Sequence, residues 1–238
     1  MLAEYNPQVF DQLNRFSIAK KRLAEERKHL LEIGRVICKF NLERLIGVCL
    51  LHKHFQLLNE ECLVEKTTQD GTFHINPFAK DFEQAIVPYT WKAIKAQDSQ
   101  GHNWYPVEFI SETSVDGLDV LPMQNQQFLN EVADRLDELG LTEVFGLSLL
   151  HRAIDERSDS IYVEVTDKAA RTLTISMFPK HEIDERFTQT LWYFAPSEKE
   201  DIKVECAGFC SLQKSIEFVT VAEDIKVECA GLCKGVSN

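Results

Sequence analysis

Two histidines in near-identical settings are the side chains of this sequence best suited to chemistry. His52 closes the string Gly47-Val48-Cys49-Leu50-Leu51-His52-Lys53 and His151 closes Gly146-Leu147-Ser148-Leu149-Leu150-His151-Arg152, at a constant shift of 99 positions. Each is followed at the same distance by a glutamate, Glu65 and Glu164. Two imidazoles and a carboxylate form a set that holds a divalent metal with coordination positions left open. His52, His151, Glu65 and Glu164 are therefore the expected metal ligands, and a divalent metal is the cofactor the set admits. His54 follows His52 on the same strand face, whereas Ala153 stands at the corresponding place in the second string. That asymmetry makes His54 the expected catalytic base or a further ligand.

The alternation around each histidine is strand-like and leads through a polar turn to a second apolar run, so a β-hairpin is expected in each copy. With the first turn centred between Leu58 and Asn59, His52 falls opposite Glu65 and His54 opposite Leu63; the same arithmetic sets His151 opposite Glu164. Cross-strand neighbours on one face have Cβ atoms ~5 Å apart, so each pair could also be no more than a hydrogen bond that fixes the register. Both readings stay open on the sequence.

These hairpins follow helices. Phe16, Leu23, Leu30 and Ile37 recur at every seventh position between Phe10 and Phe40, and Phe128, Leu129, Val132, Leu136 and Leu139 share one side of a second helix that Gly140 is placed to end. Further strands are expected at Val87 to Trp91 and Trp104 to Ile110, with Pro88 or Pro106 at an edge or bulge, and then at Thr172 to Phe178, Thr190 to Phe194 and Ile202 to Cys206. Gly47 to Glu65 aligned with Gly146 to Glu164 gives six identities in 19 positions without a gap. The expected fold is α+β, a tandem pseudo-two-fold duplication of a helix plus antiparallel β-sheet unit. Its boundaries are 1–113 for the first repeat, 114–121 for a linker, 122–210 for the second repeat and 211–238 for a C-terminal tail.

In the tail, Glu200 to Cys210 recurs as Glu223 to Cys233 with the single change of Phe209 to Leu232. Cys206, Cys210, Cys229 and Cys233 have the pairing of a structural zinc site. A recent duplication explains the second pair without any metal.

No dinucleotide fingerprint, phosphate loop, nucleophile elbow or His-Glu-x-x-His motif is present, and His181-Glu182-Ile183-Asp184-Glu185 falls short of the last. A formal net charge of −12 disfavours a nucleic-acid partner. The basic stretch Lys20 to Lys28 is interleaved with Glu25 and Glu26 as a solvated helix face would be. The start at Met1 has no secretory pattern and no run spans a membrane, so an intracellular, cytoplasmic protein is expected, its seven cysteines reduced.

The strings Gly47-Val48-Cys49-Leu50-Leu51-His52-Lys53-His54-Phe55, Val87-Pro88-Tyr89-Thr90-Trp91 and Pro106-Val107-Glu108-Phe109 resemble proteins encoded in the genomes of filamentous ascomycete fungi, over residues 40 to 210. The resemblance implies a fungal intracellular protein and carries over no activity. Two functions are then expected in order: a binding or interaction protein for a small molecule or a protein partner, and, as the alternative, a metal-dependent enzyme with a two-His, one-carboxylate site between the repeats.

Overall fold

The computed structural model describes residues 1–79, 85–96, 101–112, 121–152, 158–196 and 202–211. Residues 113–120, which hold most of the expected linker, and the tail beyond Ser211, with Cys229 and Cys233, lie outside the described residues. Helices α1 (Pro7–Asp11), α2 (Phe16–Glu26) and α3 (Leu30–Lys39) precede strands β1 (Ile46–Leu50), β2 (Glu61–Thr67), β3 (Phe73–Ala79), β4 (Ile86–Lys95) and β5 (His102–Ser111). Helix α4 (Gln126–Glu138) precedes β6 (Phe145–Leu149), β7 (Ser160–Asp167), β8 (Thr172–Pro179), β9 (Thr188–Pro196) and β10 (Ile202–Ser211). Among the described residues no helix is long and apolar enough to cross a membrane.

The strands close into one mixed barrel in the order β1-β6-β4-β5-β2-β3-β8-β7-β10-β9, with β9 pairing back to β1. This corrects the expected α+β arrangement of two helix-plus-antiparallel-sheet repeats: the runs β4-β5-β2-β3 and β8-β7-β10-β9 join in one closed mixed ring, with β1 and β6 exchanged between them. β1 pairs with β6 and β9, β4 with β6, and β3 with β8. An open sheet would leave two rows of unpaired backbone groups at its edges, and closure across the halves removes both. The expected hairpin of β1 with β2 is absent for the same reason. β2 lies instead between β3, antiparallel, and β5, parallel, and β7 lies between β8, antiparallel, and β10, parallel.

Local signals in the sequence account for the elements around the ring. Asn125 caps α4 by accepting a hydrogen bond from the Phe128 amide at 3.1 Å, and Gly140 ends that helix at φ 70°, a left-handed conformation that favours glycine. Phe16, Leu23, Leu30 and Ile37 are all buried, although the helix they mark is broken by a 3-10 turn at Arg27–His29, where no side chain is buried. The ladder between β4 and β5 shifts register at Pro88, the bulge expected where a residue cannot donate. Trp91, Trp104 and Trp192 are fully buried with Ile33, Ile37, Phe128 and Val132, so they pack the barrel wall against α3 and α4.

A second apolar cluster joins Val9, Phe10 and Leu13 with Leu51, Leu63, Val107, Leu173 and Ile175, which brings α1 and the residues after it onto the strands that surround the polar interior. Close strand contact depends on glycine at one place in β6. A Cβ at Gly146 would lie 2.4 Å from the Trp91 carbonyl oxygen, and one at Gly47 in β1 would lie 2.6 Å from that of Trp192. Backbone cannot swing aside as a side-chain tip can, so Gly146→Ala is expected to destabilise the chain by about 1–3 kcal/mol, the usual cost of overpacking. Urea unfolding checks this, and an unchanged midpoint would show that the two strands separate freely.

Candidate metal centre

Both His52 and His151 stand two residues beyond a strand end, where the chain leaves the ladder but is still tied to it. The Leu51 amide donates to the Val144 carbonyl at 2.8 Å, and the Leu150 amide to the Leu45 carbonyl at 2.9 Å. Lys53 is held by its amide on the Asn14 carbonyl at 2.9 Å. These bonds fix where each imidazole begins. Each ring then turns its Nδ1 back on its own strand: His52 to the Leu50 carbonyl at 2.7 Å and His151 to the Leu149 carbonyl at 3.2 Å.

A carbonyl can only accept, so Nδ1 of His52 carries the proton and Nε2 keeps its lone pair. That Nε2 is buried and has no hydrogen-bond partner among the described residues. Burial, together with the charge of His54, pushes the His52 ring down to about 4, which keeps it neutral at physiological pH. A neutral imidazole whose far nitrogen is held by a carbonyl and whose near nitrogen is bare is the form that ligates metals.

What surrounds that nitrogen is a set of ligands. His52, His54, Glu164 and Cys210 each offer one donor atom, and the four atoms lie within 4.8 Å of one another. Glu164 and Cys210 face each other in the parallel register of β7 with β10, which sets thiol beside carboxylate. Nε2 of His54 is 2.6 Å from Glu164 Oε1, a close contact without hydrogen-bond alignment, while its Nδ1 meets the Thr166 hydroxyl at 2.6 Å. Burial works to raise the Glu164 carboxyl, and the neighbouring His54, then His52 and Arg152, more than offset it and hold the group down to about 2. Burial also pushes the Cys210 thiol well above its ordinary value, helped by the charge of Glu164; a bound metal would reverse this by displacing the proton.

The other two expected ligands are engaged elsewhere. Glu65 on β2 is fully buried, bonds His151 Nε2 at 2.8 Å through one oxygen and takes a short charge-assisted bond from Arg152 on the other. Both ring nitrogens of His151 thus face protein oxygens, the Leu149 carbonyl and Glu65. Burial alone would raise Glu65, but Arg152 and His151 hold it below the usual carboxylate range. The glutamate of each half meets a histidine of the other half, Glu65 with His151 and Glu164 with His54, because the barrel interleaves the strands. His54, expected as a base, is one of the four clustered groups.

Between these two groups lies a cavity of about 80 Å³ lined by His52, Glu164 and Arg152 together with Tyr89, Thr90 and Glu108. At ~30 Å³ per water it has room for two or three waters or a ligand of a few heavy atoms. Glu108 on β5 accepts from the Thr90 hydroxyl at 2.9 Å. Burial, reinforced by the charge of Glu164, raises its carboxyl and favours the protonated, donating form. Glu108, Tyr89 and Thr90 were not singled out by motif; the available signal was a carboxylate set inside the apolar run Val107-Glu108-Phe109-Ile110. Cys210, read in the sequence only as one of four tail cysteines of a zinc site, is brought to Glu164 by the β7 to β10 pairing. Cys206 is a half-buried thiol bonded to the Gly208 carbonyl at 3.3 Å.

One consequence concerns acid. His52 takes up a proton near 6.5 when unfolded and only near 4 when folded, so its contribution to stability is complete above pH 6.5 and is lost as pH falls toward 4. The metal-free chain should lose about 2–3 kcal/mol across that window from this ring. Glu108, whose folded value is raised, acts in the opposite sense. Urea unfolding of the wild type and of His52→Gln at pH 7 and pH 5 checks the assignment: the acid loss should shrink in the variant, and an equal loss in both would remove His52 as its source.

No protein-family model matches this chain, and neither does any curated protein or any solved structure.

Proposed function

We propose that this chain is a metal-dependent enzyme that binds one transition-metal ion through His52, His54, Glu164 and Cys210 and uses it to polarise a small molecule held in the interior cavity. The observation that carries the reading is the bare, buried Nε2 of His52 within 4.8 Å of three other donor atoms. A buried nitrogen without a partner costs free energy, and a metal ion removes that cost. The mix of imidazole, carboxylate and thiolate favours zinc, iron or copper over magnesium or calcium. His52 and Glu164 line the cavity, whereas His54 and Cys210 do not, so a ligand there approaches the ion on the side those two leave open. Polarisation of a bound carbonyl or water is then the chemistry such an ion supplies.

The reading as a small-molecule binding protein is contained in this one, since the same cavity receives the ligand; the barrel then binds without reaction. Equilibrium dialysis of the purified chain against zinc and cobalt(II), with elemental analysis, tests the proposal. One equivalent should be retained by the wild type and lost in His52→Ala. Retention of no metal, or of the same metal in both proteins, would overturn it.

A further inference from the structure

A second cavity, of about 370 Å³, opens on the outer side of His54 and is lined by Arg15, Phe16, Ser17, Lys53, Gln56 and Lys168 among others. In a chain of net charge −12 this lining carries three cations and no carboxylate. Arg15 and Lys168 are exposed and make no ion pair among the described residues. The Lys53 ammonium donates to the Asp11 backbone carbonyl and approaches the Gln56 side-chain oxygen at 3.4 Å, both neutral acceptors, so its charge is not cancelled there. The nearest acid in sequence, Asp167, is turned to the amides of Ala169 and Ala170 at 2.9 and 3.0 Å.

The inner wall of this mouth is the metal centre itself. Phe16 stacks on His54 with ring centroids 6.0 Å apart and leans on His52 at 5.0 Å, and the two imidazoles touch at 4.5 Å. One layer of rings therefore separates the cationic rim from the ligand atoms. A concave, low-dielectric mouth of one charge sign concentrates ions of the other sign and speeds their arrival.

We infer that the ligand of the centre is a small anion, a carboxylate or a similar oxyanion, which is gathered at this mouth by Arg15, Lys53 and Lys168 and passes the layer of Phe16, His54 and His52 rings to reach the cavity on the far side of the ion. The inference rests on the metal reading above and adds to it the charge of the substrate and its route. Guanidinium and ammonium groups are the usual partners of carboxylate and oxyanion groups, and the interior cavity has space for little more than such a group and a short chain.

Azide serves as the anionic probe on the cobalt(II)-loaded chain, its arrival followed in the visible bands of the ion by stopped flow. Arg15→Glu/Lys168→Glu should slow association by about tenfold, Arg15→Gln/Lys168→Gln by less, and added salt should slow the wild type toward the variants. Arg27→Glu/Lys28→Glu, an equal change of charge on exposed positions beyond the far end of α2, should stay within about twofold of wild type. Circular dichroism checks that all variants are folded, and dialysis that all keep the metal. Equal, salt-independent rates in every protein would overturn the anion route and leave the metal centre standing. Absence of the cobalt bands in the wild type would overturn the metal reading and the route with it.

Discussion

Glu65→Ala is expected to cost about 3–5 kcal/mol of folding stability, the range for breaking a buried ion pair from one side. Glu65 is fully buried on β2 and its two oxygens serve the Arg152 guanidinium and the His151 ring. Truncation removes the carboxylate bonded to the guanidinium and leaves it beside the rings of Phe73 and Tyr89, 5.3 and 6.0 Å from its centre, with the Glu164 charge farther off. At ~2–4 °C per kcal/mol for a chain of this size, the melting temperature should fall by at least 6 °C. Metal affinity, in contrast, should stay within about threefold, because ligation outside this triad needs none of its atoms. Glu65→Ala/Arg152→Met should recover part of the loss, since an apolar replacement of both partners leaves no orphaned charge. A loss below about 1 kcal/mol in the single variant would mean that the interior there is wet enough to solvate the arginine.

Cys210→Ser should lower metal affinity by more than the ~10–100-fold that follows loss of a hydrogen-bonding partner behind a ligand, because the thiolate is itself a ligand. Thr166→Val, which removes such a partner from His54, should fall inside that range. The order of the two effects separates direct ligation from positioning. The cobalt(II) spectrum adds an independent readout, since a thiolate bound to cobalt gives an intense near-ultraviolet charge-transfer band that serine cannot supply. Persistence of that band in Cys210→Ser would transfer the thiolate role to another residue.

Much of the local structure was legible because local rules govern it. The Gly140 stop and the bulge at Pro88 follow from residues within a few positions of one another. The seven-residue spacing of Phe16, Leu23, Leu30 and Ile37 survives a break in the helix because all four side chains still reach the core. Closure of the barrel was not legible. Its deciding pairs, β1 with β6 and β9 and β3 with β8, join residues from opposite halves of the chain, and no periodicity within either half reports them.

The site shows the same division. The recurrence of His52 and His151 with Glu65 and Glu164 picked out four polar groups, but hairpin arithmetic paired each histidine with the glutamate of its own half. The interleaved ring exchanges the partners: Glu65 goes to His151 and Arg152, and Glu164 goes to His54 with Cys210 beside it. His54, present in one string and replaced by Ala153 in the other, belongs to the cluster of His52, Glu164 and Cys210, whereas His151 lies with Glu65 and Arg152.

The most direct test of the central claim is X-ray absorption at the metal edge of the zinc-loaded chain. The account predicts a first shell with one sulfur at ~2.3 Å and nitrogen and oxygen donors at ~2.0–2.2 Å, including two imidazoles, and loss of the sulfur shell in Cys210→Ser. A shell of oxygen donors alone, or a wild-type spectrum unchanged by Cys210→Ser, would contradict it.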